Sequence, residues 1–390
     1  MKRTSSRLGR FIITSAGGES VRAFLPPPLP PEPALDINRM FTLYDGARGA
    51  VGRLDGAAGV LPSTEFFLYM YVRKEALLSS QIEGTQSTLT DLLLFEIDEL
   101  PAAPIEDVTE VSNYVAAMRH GIDRLRDGFP LSLRLFREIH GVLLQSGRGA
   151  SQQPGEFRTS QNWIGGTRPG NALFVPPPPD HLMACLDAFE KFMHADDSNL
   201  PPLIRAGLAH VQFETIHPFL DGNGRLGRLL VTLMLCDAGV LREPLLYLSL
   251  HFKTHRAEYY DLLQQVREDG DWEAWMEFFL LGVRETANQA AATASEIVDL
   301  FQSDRRTIEK LGRPSASALR VQEFLQRHPI VSVATVCRGV GMSAPTVGAT
   351  LRHLMSLGIV GEITGGRRNR LFSYTRYFAA LDRGTAPLPR

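Results

Sequence analysis

The residues best suited to chemistry in this chain are concentrated in one short stretch. Residues 217–228 include a histidine, an aspartate, an asparagine, three glycines and two arginines, and an apolar helical run follows directly at 229–234. A glycine-rich loop that opens into a helix presents free backbone N–H groups and the positive end of the helix dipole to a ligand. The stretch therefore predicts a binding site for an anion.

The spacing of the side chains narrows the ligand to a polyphosphate. Gly222 and Gly224 allow close approach of the backbone to a phosphate. Arg225 and Arg228 lie three residues apart, on one face of the first helical turn. Asp221 would repel a bare anion, so its place here predicts a divalent metal, most simply Mg²⁺, that bridges the phosphates.

The histidine completes a reaction centre. His217 has the residue type of a general base near neutral pH, which could take a proton from an attacking hydroxyl. Together with the anion site, it predicts in-line attack on a metal-bound polyphosphate.

Three other motif interpretations fit poorly. Residues 222–227 match G-x-G-x-x-G, but Pro218 and Asp221 interrupt the strand that a dinucleotide fold requires. A calcium loop would need glutamate where Thr232 stands. The chain contains no P-loop motif.

Residues 217–228 resemble the signature of the Fic family, H-x-F-x-[DE]-G-N-G-R-x-x-R. The resemblance implies an enzyme that transfers AMP from ATP to a serine, threonine or tyrosine hydroxyl of a protein and releases pyrophosphate, with Mg²⁺. By motif position, His217 would be the base and Asp221 the metal ligand. The small Gly224 favours transfer of AMP over transfer of phosphate. The resemblance implies these nucleotide-binding residues: Gly222, Asn223, Gly224, Arg225, Leu226, Gly227, Arg228 and Tyr260, with Leu263 and Arg267 on the adenine side. A helix-packing role for Tyr260 has equal weight.

A second segment resembles the family's inhibitory motif, [ST]-x-x-x-E-[GN]. It runs from Ser79 through Glu83 to Gly84. An acid at a helix C-terminus meets the negative end of the dipole, so Glu83 needs a cationic partner. The resemblance implies that Glu83 pairs with Arg228 and removes the group that the γ-phosphate requires.

The stretch from Gly155 to Val175 predicts a β-hairpin around Gly165 and Gly166. An isolated hairpin is only marginally stable, so its presence needs a reason. A strand edge that pairs with the extended chain of a target protein would be such a reason. A structural loop packed by Trp163 explains the pattern equally well. The segment also resembles the family's flap.

The remaining pattern is mainly helical, so we expect a helical Fic core with a small β-hairpin flap and a C-terminal winged helix-turn-helix domain. Residues 1–34, with six prolines between 26 and 33, predict a disordered or extended arm. Further boundaries are expected at 35–125 for an N-terminal helical region with the inhibitory helix, 126–302 for the catalytic core and 303–390 for a linker and the winged helix.

The C-terminal region differs in charge from the rest. Residues 313–390 hold eleven arginines, no lysine and three acids, whereas the whole chain has a net charge of −2. A basic domain on an acidic body indicates a second task, and we expect either DNA or protein contacts. The cations expected to meet DNA are Arg352, Arg367, Arg368 and Arg370.

The composition indicates a soluble, cytoplasmic protein that makes no membrane contact. Its three cysteines fit neither a disulfide framework nor a zinc site. A homodimer and self-modification are expected as well. The sequence leaves two alternatives to AMP transfer: a winged-helix transcriptional regulator whose body only senses a nucleotide, and an enzyme of the same family that transfers another group.

Overall fold

The computed structural model describes residues 7–59, 64–97, 101–195, 200–365 and 370–389. The described residues form helices and two small antiparallel sheets, as the sequence predicts. The helices are α1 (Ile37–Gly59), α2 (Thr64–Ile82), α3 (Leu89–Glu96), α4 (Ile105–Arg126), α5 (Leu133–Leu143), α6 (Pro179–Met193), α7 (Pro202–Ile216), α8 (Asn223–Asp237), α9 (Ser249–Thr254), α10 (Arg256–Asp269), α11 (Trp272–Glu309), α12 (Ser315–Arg327), α13 (Val333–Val340), α14 (Ala344–Ser356) and α15 (Thr375–Asp382).

Helices α7 and α8, which flank the loop at 217–222, form a buried core of the body. Helix α7 is buried along nearly its whole length, and it packs against α8, which is buried from Asn223 to Leu235. Such all-round burial is consistent with the apolar residues that occur on all faces of both helices. The loop between them is therefore held at both ends by fixed elements.

Helix α11 joins the body to the C-terminal region. Its first half packs along α1 and, through the fully buried Trp275 and Phe279, against Gly207 of α7. Its second half contacts α12 and α15. One continuous helix thus connects the two parts of the chain.

The N-terminal residues that the structure describes are extended and not disordered, so the extended arm is the one of the two predicted states that they adopt. Strands β1 (Arg10–Ala16) and β2 (Glu19–Leu25) form an antiparallel hairpin. The side chain of Gln212 then donates a 2.8 Å hydrogen bond to the carbonyl of Pro27. Alternating apolar residues in β1 and β2 bury against a neighbouring segment, a tertiary contact that the proline run obscured.

That neighbouring segment is the predicted flap, and its hairpin is reduced to one bridge. Ile164 pairs with Phe174, and no strand ladder forms between 155 and 175. Gly165 and Gly166 have positive φ, and a 3₁₀ turn at Pro169–Asn171 occupies the intervening chain. The flap is instead supported from behind, where Phe24 donates its backbone N–H to Val175 at 2.9 Å.

The C-terminal unit contains α12, β3 (Ile330–Ser332), α13, α14, β4 (Val360–Glu362), β5 (Leu371–Tyr374) and α15, with the sheet in the order β3-β5-β4. These elements follow the order expected of a winged helix, an assignment that stays a prediction. Ser343 precedes α14, but its hydroxyl bonds to the Thr346 hydroxyl and not to a backbone N–H. Arg367 and Arg368 lie outside the described residues.

None of the helices that the structure describes is long and apolar enough to cross a membrane.

Candidate active site

The loop between α7 and α8 is bounded by two residues in the left-handed region. His217 follows the last residue of α7 with φ of 50° and donates its backbone N–H to Phe213 at 2.9 Å. Gly222 precedes α8 with φ of 74°. A histidine seldom adopts a positive φ, so surrounding contacts must hold it there. The turn brings His217 and the first residues of α8 to the same side of the loop.

Asn223 supplies much of that constraint. Its side-chain oxygen accepts the Phe219 N–H at 2.9 Å, and its amide nitrogen donates to the Phe219 carbonyl at 2.8 Å. The side chain is almost fully buried. Its hydrogen-bonding groups are thus used to close the loop, so any contact with a phosphate must come from the backbone N–H of Asn223. The sequence analysis predicted that Asn223 binds the nucleotide.

Two further side chains fix the loop from outside it. The ring of His140 stacks on Phe219 at 3.8 Å, accepts the Gly155 N–H at Nδ1 and donates from Nε2 to the Asp221 carbonyl at 3.0 Å. Burial lowers the pKa of His140 to about 4, so it stays neutral. Arg158, in the flap segment, donates from Nε to the His217 carbonyl at 2.9 Å. The flap and the loop are therefore one connected structure.

The environment of His217 defines its protonation. Its Nδ1 lies 3.3 Å from the Glu214 carbonyl. Because a carbonyl only accepts, Nδ1 carries the proton and Nε2 has a free lone pair. Burial, with the charge of Arg267, lowers the pKa of His217 to about 3. The imidazole is therefore neutral at physiological pH, as a general base must be.

His217 lines a cavity of about 290 Å³ that also brings together Gly224 and Arg228. The lining also contains aromatic and apolar residues, among them Tyr260 and Leu263. The full lining comprises Glu83, Trp163, Ile164, Gly165, Glu214, His217, Gly224, Arg228, Tyr259, Tyr260, Leu263 and Arg267. A cavity with both cationic and aromatic groups suits a nucleotide, which carries phosphates and a base.

The flap covers this cavity and is anchored to its wall. The guanidinium of Arg267 lies 4.0 Å over the Phe174 ring. Arg267 also donates to the Thr215 hydroxyl and to the Glu214 carbonyl, both at 3.2 Å. Its nitrogens are thus engaged with protein groups, so the adenine-side role expected of it would be exerted through its position as cavity wall.

Glu83 and Arg228 meet at the mouth of the anion site. Arg228 donates from Nη2 to the Glu83 carboxylate at 2.7 Å and to the Ser79 carbonyl at 3.0 Å, and from Nε to the Ser79 hydroxyl at 2.8 Å. Burial alone would raise the pKa of Glu83, but the charge and hydrogen bond of Arg228 lower it below its usual value. Gly84 then turns the chain with φ of 103°.

The Glu83 carboxylate also lies directly over the start of α8. A Cβ built on Gly224 would overlap the Glu83 oxygen and stand 3.0 Å from Arg228 Nη1. The carboxylate therefore occupies the space above the helix N-terminus where an anion would bind. Only glycine at 224 leaves room for it.

Arg225 and Asp221 lie outside the residues that line the cavity. Arg225 Nη1 is 2.8 Å from the Glu110 carboxylate, and both side chains are about 4% exposed. Burial raises the pKa of Glu110, while Arg225 and Arg148 oppose that rise. Asp221 is 40% exposed and accepts the Gly222 N–H at 2.6 Å, with Arg225 Nη2 3.6 Å away. The arginine that the sequence assigned to phosphate is, in this arrangement, neutralised by a buried acid.

Asp221 is the residue predicted to hold a metal. Among the described residues, no group of three or more histidine, cysteine or acidic side chains could hold a metal ion. A single half-exposed carboxylate nevertheless fits Mg²⁺, which keeps several waters and takes its other ligands from substrate phosphates. The donor set is compatible with a metal that arrives with the nucleotide.

Two residues of the predicted set have structural roles. The Leu226 side chain is completely buried in the core, so the expected nucleotide contact by this side chain is not formed. Gly227 lies beneath Glu214, and its carbonyl accepts from His210 Nδ1 at 2.8 Å. The motif is contiguous in sequence, but successive residues of a helix lie on different faces, and Leu226 and Gly227 lie on faces of α8 that are buried in the body.

Sequence reasoning missed Glu214, a buried acid one helical turn before His217. The side chain is 6% exposed, lines the cavity, and has an oxygen with no hydrogen-bond partner. Burial raises its pKa to about 7, against the opposing charge of Arg228. The spacing to His217 was visible in the sequence and could have suggested that both face one site.

Comparison with known proteins matches the two halves of this site. The N-terminal model of the Fic/DOC family matches residues 41–123, and the Fic/DOC family model matches residues 130–235. These ranges contain both Glu83 and the loop from His217 to Arg228. Both halves of the site therefore lie in segments that match Fic/DOC family models.

Among curated relatives, "Protein adenylyltransferase Fic" of Drosophila grimshawi is 30% identical over 250 residues, and that of Drosophila melanogaster is 29% identical over 251 residues. Each alignment covers 63% of this chain and 47% or 46% of the relative. The chain thus spans about half the length of these relatives. A crystal structure of a Fic family protein from Desulfovibrio desulfuricans G20 superposes with a TM-score of 0.54 at 20% identity, covering 85% of this chain and 96% of that one. This likeness shows the shared fold.

Proposed function

We propose that this chain is an auto-inhibited protein adenylyltransferase, which transfers AMP from ATP to a hydroxyl side chain of a protein. One observation carries the proposal: a single cavity holds the neutral base His217, the N-terminus of α8 at Gly224, the cation Arg228 and an aromatic wall. The name of the curated relatives supports the same activity.

In the proposed reaction, each of these groups has a role. The Nε2 of His217 accepts the proton of the target hydroxyl. The hydroxyl oxygen forms a bond to the α-phosphorus as the bond to the pyrophosphate oxygen breaks, and pyrophosphate leaves. The N–H groups at the start of α8 and the guanidinium of Arg228 stabilise the charge on the phosphates. Tyr260 and Leu263 form the wall against which the base lies.

Asp221 would hold Mg²⁺ together with the phosphates, and the ion would neutralise part of their charge when bound. Arg225 remains paired with Glu110 in this arrangement. Its role is then to fix the position of Asp221, 3.6 Å away.

Auto-inhibition follows from the position of Glu83. Its carboxylate binds Arg228 and fills the space above Gly224, so the terminal phosphates of ATP lack both their cation and their anion site. ATP would bind only with its phosphates displaced from the line of attack. Because Arg228 is almost fully buried, leaving it without the carboxylate is costly, which favours the inhibited arrangement.

The test compares the wild type with Glu83→Gly and with Glu83→Gly His217→Ala, using Mg²⁺ and ATP labelled at the α-phosphate. We expect label on the protein in the Glu83 variant, at least about tenfold above wild type, a factor that corresponds to about 1.4 kcal/mol. Removal of His217 should abolish it. Absence of label in all three, with circular dichroism unchanged and a panel of cell-extract proteins offered as targets, would contradict the proposal.

Other partners are part of the proposal. A target chain would dock along the flap between Gly155 and Val175, and self-modification and homodimerisation are expected with it. For DNA, Arg352 is exposed, whereas Arg370 already pairs with Glu362. Binding of duplex DNA that weakens steeply with salt and is lost in Arg352→Ala would support a DNA contact, and no binding at low salt would refute it.

A further inference from the structure

The segment that follows α15 binds the C-terminal half of α2, the predicted inhibitory helix. Residues 383–386, here called the tail, leave the C-terminal unit and lie against α2 and α9. Thr385 is 1% exposed, so this part of the tail is inserted into the body and not laid on its surface. Its hydroxyl caps the turn by donating to the Asp382 carbonyl at 2.8 Å.

The tail binds Gln81, two residues before Glu83. The buried amide of Gln81 donates to the Thr385 carbonyl at 2.8 Å and to the Ser87 carbonyl at 2.9 Å. Gln81 therefore ties together the tail and the two sides of the turn that carries Glu83. The hydrogen bonds from Gln81 make the tail part of the structure that holds this turn.

Two buried lysines complete the attachment. Lys253 of α9 donates to the Gln81 side-chain oxygen at 2.6 Å and also to the carbonyls of Gly384 and Ala386. Lys74 of α2 donates to the Arg383 carbonyl at 2.8 Å. Buried ammonium groups need such acceptors, and here the tail backbone provides most of them.

The tail fits only in one conformation. Gly384 has φ of 80°, and a Cβ there would stand 2.9 Å from a methyl group of Leu250. Any other residue at 384 would be strained in both backbone and packing. The tail can thus be displaced by a single substitution that touches neither Glu83 nor Arg228.

We propose that the tail is a clamp on the inhibitory helix: while residues 383–386 are docked, Gln81 holds the end of α2 and Glu83 stays on Arg228. Displacement of the tail removes the hydrogen bonds to Gln81 and Lys253 and loosens the turn at 83–84. Glu83 then leaves Arg228, and the inhibition ends. The C-terminal unit, which continues directly into the tail through α15, thereby controls the catalytic site. This inference rests on the proposed auto-inhibition.

The test uses two variants, Gly384→Ala and a chain that ends at Asp382, with a chain that ends at Pro387 as the matched control that keeps the clamp. Hydrogen–deuterium exchange of residues 79–85 reports the turn itself, and AMP incorporation from α-labelled ATP reports the brake. We expect faster exchange and at least about fivefold more label in both variants, with the control like wild type. Adding Glu83→Gly to Gly384→Ala should give no more label than Glu83→Gly alone.

The two measurements distinguish a failure of the proposed activity from a failure of the clamp. If Glu83→Gly takes up no label, the proposed activity fails, while the exchange experiment still decides whether the tail holds the turn. Exchange at 79–85 equal to wild type in both variants would refute the clamp. Faster exchange with label unchanged, in a protein whose Glu83→Gly variant is active, would refute its control of the brake.

Discussion

The carboxylate of Glu83 and the guanidinium of Arg228 are 145 residues apart in the chain and 2.7 Å apart in the fold. Arg228 is 2% exposed in this pair and Glu83 36%. The arginine is therefore committed to the contact, whereas the glutamate reaches it from the edge of the cavity. This asymmetry means that the proposed inhibition can be relieved by moving the glutamate alone.

Ser79 should contribute a smaller share of the same restraint. It accepts from Arg228 with both its hydroxyl and its carbonyl, and only the hydroxyl is lost in Ser79→Ala. We expect labelling to rise by a factor of about 5, as for loss of about 1 kcal/mol, which is less than in Glu83→Gly. The matched control is Ser80→Ala, because the neighbouring Ser80 hydroxyl is buried without a partner. Equal effects of both substitutions would refute a specific role for Ser79.

Asn223 should be required for activity through the shape of the loop. Asn223→Ala removes both hydrogen bonds to Phe219. It leaves the buried Phe219 N–H unpaired, at a cost of about 1–3 kcal/mol, whereas the Phe219 carbonyl keeps a 2.9 Å hydrogen bond from the Asn162 side chain. We expect a lower melting temperature and, in the Glu83→Gly background, loss of most labelling. The measurement pairs thermal unfolding with the labelling assay.

Asn223→Asp separates the two bonds, since it keeps the acceptor for the Phe219 N–H and loses the donor to the Phe219 carbonyl. It should fall between wild type and Asn223→Ala in melting temperature. Full activity and stability in both variants would show that the loop is held by other contacts.

Glu214 should make ATP binding sensitive to pH above neutrality. Its pKa is raised to about 7 by burial, so the carboxyl is neutral at pH 6 and adds a negative charge to the phosphate cavity by pH 8. In Glu83→Gly, we expect ATP affinity to fall between pH 6.5 and 8.5. Adding Glu214→Gln should make this decrease in affinity smaller. Calorimetric titration with a non-hydrolysable analogue of ATP measures the affinity. A parallel decline in both proteins would refute the role of Glu214.

His210 should affect stability on the acid side. It is fully buried, donates from Nδ1 to the Gly227 carbonyl and accepts the Tyr259 hydroxyl, and burial lowers its pKa to about 3. The pKa of this histidine in the unfolded chain is about 6.5. Below that pH the unfolded chain binds a proton that the folded chain excludes, so the free energy of unfolding decreases as the pH is lowered. The stability difference between wild type and His210→Gln should shrink by up to about 1.4 kcal/mol for each pH unit between 6.5 and 4.

Urea unfolding at pH 7, 6 and 5 measures that difference directly. The comparison with His210→Gln cancels the contributions of Glu75 and Glu214, whose raised pKa values act in the opposite direction over the same range. A difference that does not change with pH would show that His210 is protonated in the folded protein.

Local patterns were sufficient for much of the fold. The spacing of apolar residues predicted a mainly helical fold, because the apolar face of an amphipathic helix repeats about every 3.6 residues. Thr88 caps α3 and Asp271 caps α11, each by a side-chain hydrogen bond to the backbone. The N-terminal hairpin escaped prediction because its strands are stabilised by the flap, 150 residues away in sequence, and a nearby run of prolines suggested disorder.

The sequence by itself determined which residues could do chemistry, because the motif from His217 to Arg228 combines a base, an anion site and cations within one turn and one helix start. Tertiary structure alone decided how they are used. It gave Arg225 to Glu110, Asn223 to the loop backbone and Arg228 to Glu83, and it placed the tail on Gln81. The physical reason is that each buried charge or amide must find a partner, and those partners come from distant segments that local spacing does not specify.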